Sequence, residues 1–494
     1  MSTAPHRASA APGIRQHRVE AVNDAERRKL YKKREPIYPK LVHGKFRLAK
    51  WIFLLLSLGA YYFIPFLRWD RGPSAPDQAV LIDFEGHRFY FFFIEIWPQE
   101  IYFVSGLLIM AALALFLVTA LFGRVWCGYA CPQTVWTDLF IAVERLFEGD
   151  RNKRIKLDRA KWSFNKAWRK VGKHIVWLFI GGATGGAWIL YFHDAYDTLS
   201  HFFTGGSPLS AYLFFGILTF TTYTLAGTMR EQVCTYMCPW PRIQAAMTDR
   251  DALNVAYRVD RGEPRGPHKK NDSWDDRGDC IDCKACVVAC PMGIDIRNGS
   301  QLECIQCALC IDACDDIMLK VDRPTGLITY DTDINIDRRI DGKKPVYRFL
   351  RPRVLVYAIS LVIVSSVMLF GLTSRAHLDV NVTRDRNPNF VTLSDGAVRN
   401  GYTLKVINRT HEALEYSIII DGPDGLDWRI LGQNEARGLN VDVPAGRTQD
   451  FRIFLTVPRS AITAANQPVT FTVSPAGSDE ALTAETVFLS GGSR

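Results

Sequence analysis

The sequence predicts a multi-domain membrane protein with three parts: an α-helical bundle of about five transmembrane helices, a cysteine-rich α+β insert, and a C-terminal all-β sandwich. Three observations carry this. Five apolar runs, at 50–67, 101–123, 174–192, 209–228 and 353–373, approach the length that crosses roughly 30 Å of hydrocarbon. Eight of the twelve cysteines fall between residues 280 and 314. Beyond residue 375, apolar and polar residues alternate in short stretches that end at Gly, Asn, Asp or Pro. A chain that is 48% hydrophobic and 22% charged separates into oily and polar segments instead of forming one globule.

The expected boundaries follow from these shifts. Residues 1–49 are a basic arm with clusters such as RRKLYKKR at 27–34, suited to skimming an anionic membrane surface. The arm has no short apolar core, so no cleaved leader is expected. Residues 50–239 hold four spans, 240–352 a basic linker (240–279) and the cysteine-rich insert, 353–373 the fifth span, and 374–494 the strand-rich tail. The run FYFFFIEIW at 89–97 is too short to span and is expected at the interface.

Loop charge sets the orientation. Segments 1–50, 124–173 and 229–353 carry 13, 12 and 20 Lys+Arg, whereas 68–100 and 193–208 carry three and none. Positive loops stay inside. The N-terminus and the insert are therefore expected in the cytoplasm, and the tail outside the membrane of a bacterium or its equivalent. Twelve cysteines in tight spaced motifs favour metal ligation in a reducing compartment over disulfides.

The insert reads CIDCKACVVACPMGIDIRNGSQLECIQCALCIDAC. Cys280, Cys283, Cys286 and Cys290 recur 24 residues on as Cys304, Cys307, Cys310 and Cys314, both as C-x2-C-x2-C-x3-C. This is the two-cluster bacterial ferredoxin run, in which the fourth cysteine of each motif ligates the other cluster. Two 4Fe–4S clusters are expected, one on Cys280, Cys283, Cys286 and Cys314, the other on Cys304, Cys307, Cys310 and Cys290. Zinc favours paired knuckles over this eightfold repeat. Asp315 stands where the first motif has Pro291.

The other four cysteines form a duplicated C-x-Y-x-C-P motif: Cys127, Cys131 and Pro132, then Cys234, Cys238 and Pro239. Each follows an outside-to-inside span, so the two read as parallel repeats about an axis along the membrane normal. Proline at the first position of helix 132–148 would leave Cys131 at the N-cap, where the helix dipole favours a thiolate. The stripe Val135, Leu139, Val143 and Leu146 is expected to face inward, and Arg124, Arg145, Arg230 and Arg242 to add positive potential. Soft sulfur selects copper, zinc or iron–sulfur chemistry, and Met237 tilts the choice toward copper. A copper site, a redox dithiol relay and inert interfacial cysteines all stay open on residues alone.

Other features carry less. His87, His193 and His201 read as solvated loop residues, and His174 has no partner for a haem. GGATGG at 181–186 reads as close helix packing, not as a phosphate loop. Nothing suggests nucleic-acid binding. Stretches such as YTLKVIN, LEYSIII, DFRIFLTVP and VTFTVSP suggest about seven strands in an immunoglobulin-like sandwich, without cysteine, that docks partners.

In the motifs GRVWCGYACPQTVWT at 123–137 and CTYMCPWPRIQ at 234–244, the double cluster run and the strand-rich tail, the chain resembles the cytochrome c oxidase accessory protein family called CcoG, FixG or RdxA. The resemblance implies a membrane-bound cupric reductase. It would supply Cu(I) for assembly of a cbb-type haem–copper oxidase, alongside a copper-transporting P-type ATPase and oxidase assembly factors. It carries copper onto Cys127, Cys131, Cys234 and Cys238, and clusters onto the other eight cysteines. Two further readings are a quinol dehydrogenase, similar to the membrane iron–sulfur components that feed periplasmic nitrate reductase, and a non-catalytic assembly scaffold. The electron donor, cytoplasmic or quinol, is not named by the sequence, and a homodimer is compatible with all three readings.

Overall fold

The computed structural model describes residues 17, 19–23, 35–73, 75–268, 273–375, 378–410, 412–432, 440–476 and 481–491. The basic cluster at 27–34 lies outside them. The chain divides into two units, Met1–Leu67 with Gln78–Met368, and Arg68–Asp77 with Leu369–Arg494.

The first unit is mostly helical. In chain order its helices are α1 (Lys45–Phe63), α2 (Tyr102–Phe122), α3 (Val125–Tyr129), α4 (Pro132–Glu148), α5 (Arg151–Arg159), α6 (Phe164–Ile189), α7 (Ala195–Phe202), α8 (Leu209–Thr222), α9 (Trp240–Met247), α10 (Val259–Gly262), α11 (Ala285–Ala289), α12 (Leu309–Lys320), α13 (Asp333–Ile340) and α14 (Pro352–Thr373). Among the described residues, four stretches are long and apolar enough to cross a membrane: Lys45–Phe66, Pro98–Phe122, Leu209–Met229 and Pro352–Thr373. Only 6% to 22% of each apolar window is buried within the protein. Apolar helices left this bare need hydrocarbon as their solvent.

The expected run at 174–192 falls in α6, which is not among the four. Its first turns carry Lys166, Arg169, Lys170 and Lys173, and four glycines dilute the rest. Those glycines pack closely, as expected of 181–186. A β-carbon on Gly185 would meet the Phe215 carbonyl of α8 at 2.8 Å, and one on Gly181 the Thr219 carbonyl at 3.1 Å. The aromatic run at 89–97 forms strands. β1 (Val80–Asp83), β2 (Arg88–Phe91) and β3 (Ile94–Ile96) make an antiparallel meander.

The segment expected as a linker, 240–279, is structured instead. It contains α9 and β4 (Asn254–Tyr257), and β4 pairs antiparallel with β5 (Ile328–Asp331), from Asn254 opposite Asp331 to Tyr257 opposite Ile328. This ribbon closes the base of the cysteine-rich insert. A core of Ile281, Val287, Ile294, Ile305, Leu309, Ile311 and Met318 surrounds the sulfurs.

Helix α4 departs from its expected stripe. Val135 and Val143 are buried, but Leu146 is 79% exposed, and Asp138, Glu144 and Glu148 are buried instead. Cations from distant segments meet them. Arg47 donates to Asp138 at 2.9 Å, Lys173 lies 2.9 Å from Glu148, and Arg154 and Arg230 both bond Glu144. Burial pushes the Asp138 carboxyl up, but Lys50 and Arg47 outweigh it and hold the group below its usual range.

The second unit holds nine strands: β6 (Leu378–Arg384), β7 (Val391–Thr392), β8 (Val398–Asn408), β9 (Leu414–Asp421), β10 (Asp427–Ile430), β11 (Asn440–Val443), β12 (Thr448–Val457), β13 (Asn466–Pro475) and β14 (Leu482–Leu489). One sheet runs β10-β12-β8-β6 with β7 on β8, the other β11-β9-β13-β14, all antiparallel. Alternate residues of both sheets, among them Leu404, Ile418, Ile453 and Phe471, share one core. The Tyr402 hydroxyl donates across it to the Val487 carbonyl at 3.0 Å.

Phe471 is fully buried and Leu431 is 64% exposed. Phe471→Ala is expected to destabilise the strand unit by about 3–5 kcal/mol, and Leu431→Ala by about 0.5 kcal/mol or less. Proteolysis of the unit across a urea series measures both.

Candidate metal centres

The two cluster motifs fold alike. In each, the residues flanking the second cysteine have positive φ: Asp282 (50°) and Lys284 (57°) around Cys283, Gln306 (53°) and Ala308 (59°) around Cys307. Lys284 then caps α11 and Ala308 caps α12. Such left-handed residues turn successive backbone N–H groups to one side, making a concavity suited to anionic sulfur. The Ala285 N–H bonds Cys283 and the Gln306 N–H bonds Cys304, each favouring the thiolate against burial.

The two loops cross over. One cavity is lined by Cys280, Cys283, Cys286 and Cys314, the other by Cys290, Cys304, Cys307 and Cys310, with Cys286 at its edge. Both are walled by aliphatic side chains, Ile281 and Met318 in one, Ile294 and Ile305 in the other. Thiols spread around a cavity suit a polynuclear core, whose irons stand between its ligands. Burial pushes the thiols up, to about 12 at Cys290 and about 11 at Cys304, so a cationic core is what would hold them ionised. These residues fit 4Fe–4S groups. Sequence reasoning passed over Arg297, which lines the first cavity and pairs with Asp282 at 2.6 Å and Asp295 at 2.7 Å. An arginine in the spacer between the motifs was its signal.

The CxxxC repeats also share a local design. Helix α2 ends at Gly123, with φ of 58°, one helical turn carries Cys127, and Cys131 is extended before Pro132 opens α4. The second repeat ends its span at Arg230, with φ of 44°, carries Cys234 on the turn Val233–Met237, and extends at Cys238 before Pro239. The Cys131 N–H reaches back to the Trp126 carbonyl at 2.9 Å, and the Cys238 N–H to the Val233 carbonyl at 2.8 Å. Cys131 is the N-cap of α4, whereas Pro239 caps α9, leaving Cys238 one residue outside it.

The repeats face each other. The Cys127 thiol donates to Gln244 of α9 at 3.2 Å, and Arg124 donates to the Pro241 carbonyl at 2.9 Å. Burial pushes the Cys127 thiol up to about 12, aided by Cys131 and Cys234 and opposed by Arg124. Burial likewise pushes Cys234 up to about 12, aided by Cys131 and Cys238. The expected arginine field is thus largely absent. Arg145 lies beside Asp150, Arg230 is spent on Glu144, and Arg242 is exposed. Met237 is exposed as well. Met292, not singled out from the sequence, lines both the second cluster cavity and the cavity beside Cys234.

The first repeat sits on the second cluster loop. A β-carbon on Gly128 would lie 2.8 Å from the Ile305 carbonyl and 3.0 Å from the Cys307 Cα. The Arg124 N–H donates to Gln306 at 2.7 Å, its guanidinium to the Leu302 carbonyl, and the Tyr129 hydroxyl to the Cys307 carbonyl at 3.2 Å. Cys127 and Cys234 both pack against the core around the cluster thiols.

Known proteins place the chain. A 4Fe-4S dicluster domain matches residues 229–333, a 4Fe-4S binding domain residues 104–154, and the IG-like fold at the C-terminal of FixG residues 368–491. Nitrogen fixation protein FixG of Rhizobium meliloti is 48% identical over 480 residues, spanning 91% of this chain and 92% of that protein. The chain belongs to the FixG family. Protein RdxB of Cereibacter sphaeroides is 51% identical over 436 residues, 87% of this chain and 91% of its own. The crystal structure of a FixG-related protein from Vibrio parahaemolyticus aligns at a TM-score of 0.21 and 23% identity, over 24% of this chain and 99% of that one. This FixG-family chain is an iron–sulfur electron-transfer protein with helices suited to a membrane.

Two outcomes are expected. Gly128→Ala would force the loops apart at a cost of about 1–3 kcal/mol, read as lost thermal stability and lower iron content. In copper-free protein, Cys127 and Cys234 stay neutral below a pKa of about 12. Their alkylation by iodoacetamide, followed by mass spectrometry, would be slow at pH 8 and rise steadily toward pH 12, since the thiolate is the nucleophile.

Proposed function

We propose that this FixG-family chain reduces Cu(II) to Cu(I) at Cys127, Cys131, Cys234 and Cys238, for assembly of a cbb-type haem–copper oxidase. One observation carries the reading: the turn bearing Cys127 lies directly against the loop bearing Cys304 and Cys307, with Gly128 at the contact. Clusters held by Cys280, Cys283, Cys286 and Cys314, and by Cys304, Cys307, Cys310 and Cys290, would supply one-electron transfer. Arg124, at the start of the CxxxC turn, fixes its separation from that loop by donating to both Gln306 and Leu302. Each Cu(II) takes up one electron, and the product, a soft cation, is retained by thiolate sulfur. Copper binding releases the protons that burial keeps on Cys127 and Cys234. Gln244, which accepts from the Cys127 thiol, orients that sulfur.

The wider reading has five membrane crossings, with α6 as the third. The N-terminus and clusters are cytoplasmic, and the strand-rich unit is periplasmic in a bacterial inner membrane. Loop charge supports this orientation. The partners are membrane lipid, a copper-transporting P-type ATPase and oxidase assembly factors, which the strand unit would dock, and a homodimer fits the same scheme. A second reading has a specific observation behind it. Residues 104–154, which contain Cys127 and Cys131, match a 4Fe-4S binding domain, so the four CxxxC thiols would hold a further cluster.

Anaerobic protein reduced with dithionite, freed of excess reductant and given Cu(II) with a Cu(I)-specific chelator, tests the first reading. Replacing Cys127 and Cys131 by Ser is expected to slow Cu(I) formation on the order of 10–100-fold while leaving iron content unchanged. Undiminished Cu(I) formation sinks the copper assignment, and a fall in iron content favours the further cluster.

A further inference from the structure

A second cavity in the first unit is not used by the copper reading. It measures about 270 Å³ and lies between α4, α5, α6 and the end of the span Leu209–Met229, close to the lower bound of small-molecule sites. Its lining carries four cationic groups (Arg154, Lys170, Lys173 and Arg230) and three carboxylates (Glu144, Glu148 and Asp158). These pair among themselves: Lys170 bridges Glu148 at 3.0 Å and Asp158 at 2.6 Å. Arg154 is 2% exposed and lines the cavity, yet its Nη1 has no hydrogen-bond partner among the described residues. A buried guanidinium donor without a partner costs free energy that an acceptor on a ligand would recover.

Rings line the same space. Tyr38, whose hydroxyl donates to Asp158 at 2.7 Å, lies under Arg154. His174 and Trp177 meet edge to face at 5.2 Å, and the His174 Nδ1 pairs with the Tyr223 hydroxyl at 2.9 Å. Gly227 and Thr228 close one wall from a π-helical stretch, Tyr223–Met229, a geometry frequent at functional sites. That stretch ends an apolar span, which sets the cavity at the end of a candidate membrane crossing. Its neighbour, the cavity beside Cys234, shares Ile37 and Arg230 with it.

We propose that this cavity binds a quinone headgroup and that its hydroquinone is the electron donor. Buried carboxylates repel a multiply charged anion such as a phosphate. A neutral ring with an oxygen at each end instead accepts from Arg154 in either redox form, and the O–H groups of its hydroquinone donate to the carboxylates. Oxidation breaks the two O–H bonds of the hydroquinone. The two protons leave by way of His174 to water at the open side of the cavity. The two electrons leave singly, for two Cu(II) ions under the reading above, giving quinone and two Cu(I). The donor role rests on that reading; the binding does not.

The test uses the full chain in nanodiscs, free of copper, with menadione as probe. Saturable binding of one menadione per chain is expected, and a photoactivatable azido-naphthoquinone should label peptides from 144–177 and 223–230 and be displaced by excess menadione. His174→Phe, which leaves the ion pairs intact, should weaken binding about tenfold with an unchanged melting temperature. Labelling spread over the lipid-facing spans, or displacement of menadione by short-chain phosphatidylglycerol but not by a second naphthoquinone, overturns the proposal. If His174→Phe fails to fold, the labelling pattern of the unaltered chain decides. Copper reduction that proves independent of Cys127 would remove the acceptor and leave this binding site standing.

Discussion

The backbone of the loop from Cys304 to Cys307 approaches Gly128 so closely that no side chain fits between them. That contact decides much of the rest. A loop that holds cluster thiols is stiff, because its left-handed residues at Gln306 and Ala308 fix its course. Pressing a CxxxC turn against it transfers the stiffness to Cys127. Arg124 spans the same gap with its backbone and its side chain, so the turn is held by three acceptors as well as by shape. Electron exchange over a short distance needs such a fixed approach more than it needs any particular reactive group.

The frame behind this contact is ionic. Helix α4, capped by Cys131, buries Asp138, Glu144 and Glu148 along its length. Removing one member of a buried pair is costly because it strands the other. The carboxylates therefore tie α1, α5, α6 and the Arg230 turn to one helix, and with them the positions of Cys131 and Cys234. The same crowding of charge walls the cavity that Arg154 lines.

Much of this was legible in the sequence, where a short-range rule applied. The C-x2-C-x2-C-x3-C spacing is a local device, and both motifs do fold alike. Alternation in YTLKVIN and VTFTVSP anticipated β8 and β13, because one face of each is packed and the other is wet. What failed was long-range. The stripe expected on α4 missed its three carboxylates, since their partners come from residues 47 to 230. The linker at 240–279 concealed β4, whose partner β5 lies over seventy residues on. The four arginines were weighed by nearness in sequence, and only Arg124 acts on Cys127. Met292 and Arg297 gave faint signals because their roles depend on which cavity they line.

The β4–β5 ribbon has one more implication. The chain enters and leaves the cysteine-rich insert through two adjacent antiparallel strands, so the ends of the insert are neighbours whatever lies between them. A segment anchored in this way behaves as a cassette. Away from the loop that meets Gly128, it can be lengthened or shortened while the helices on either side keep their places.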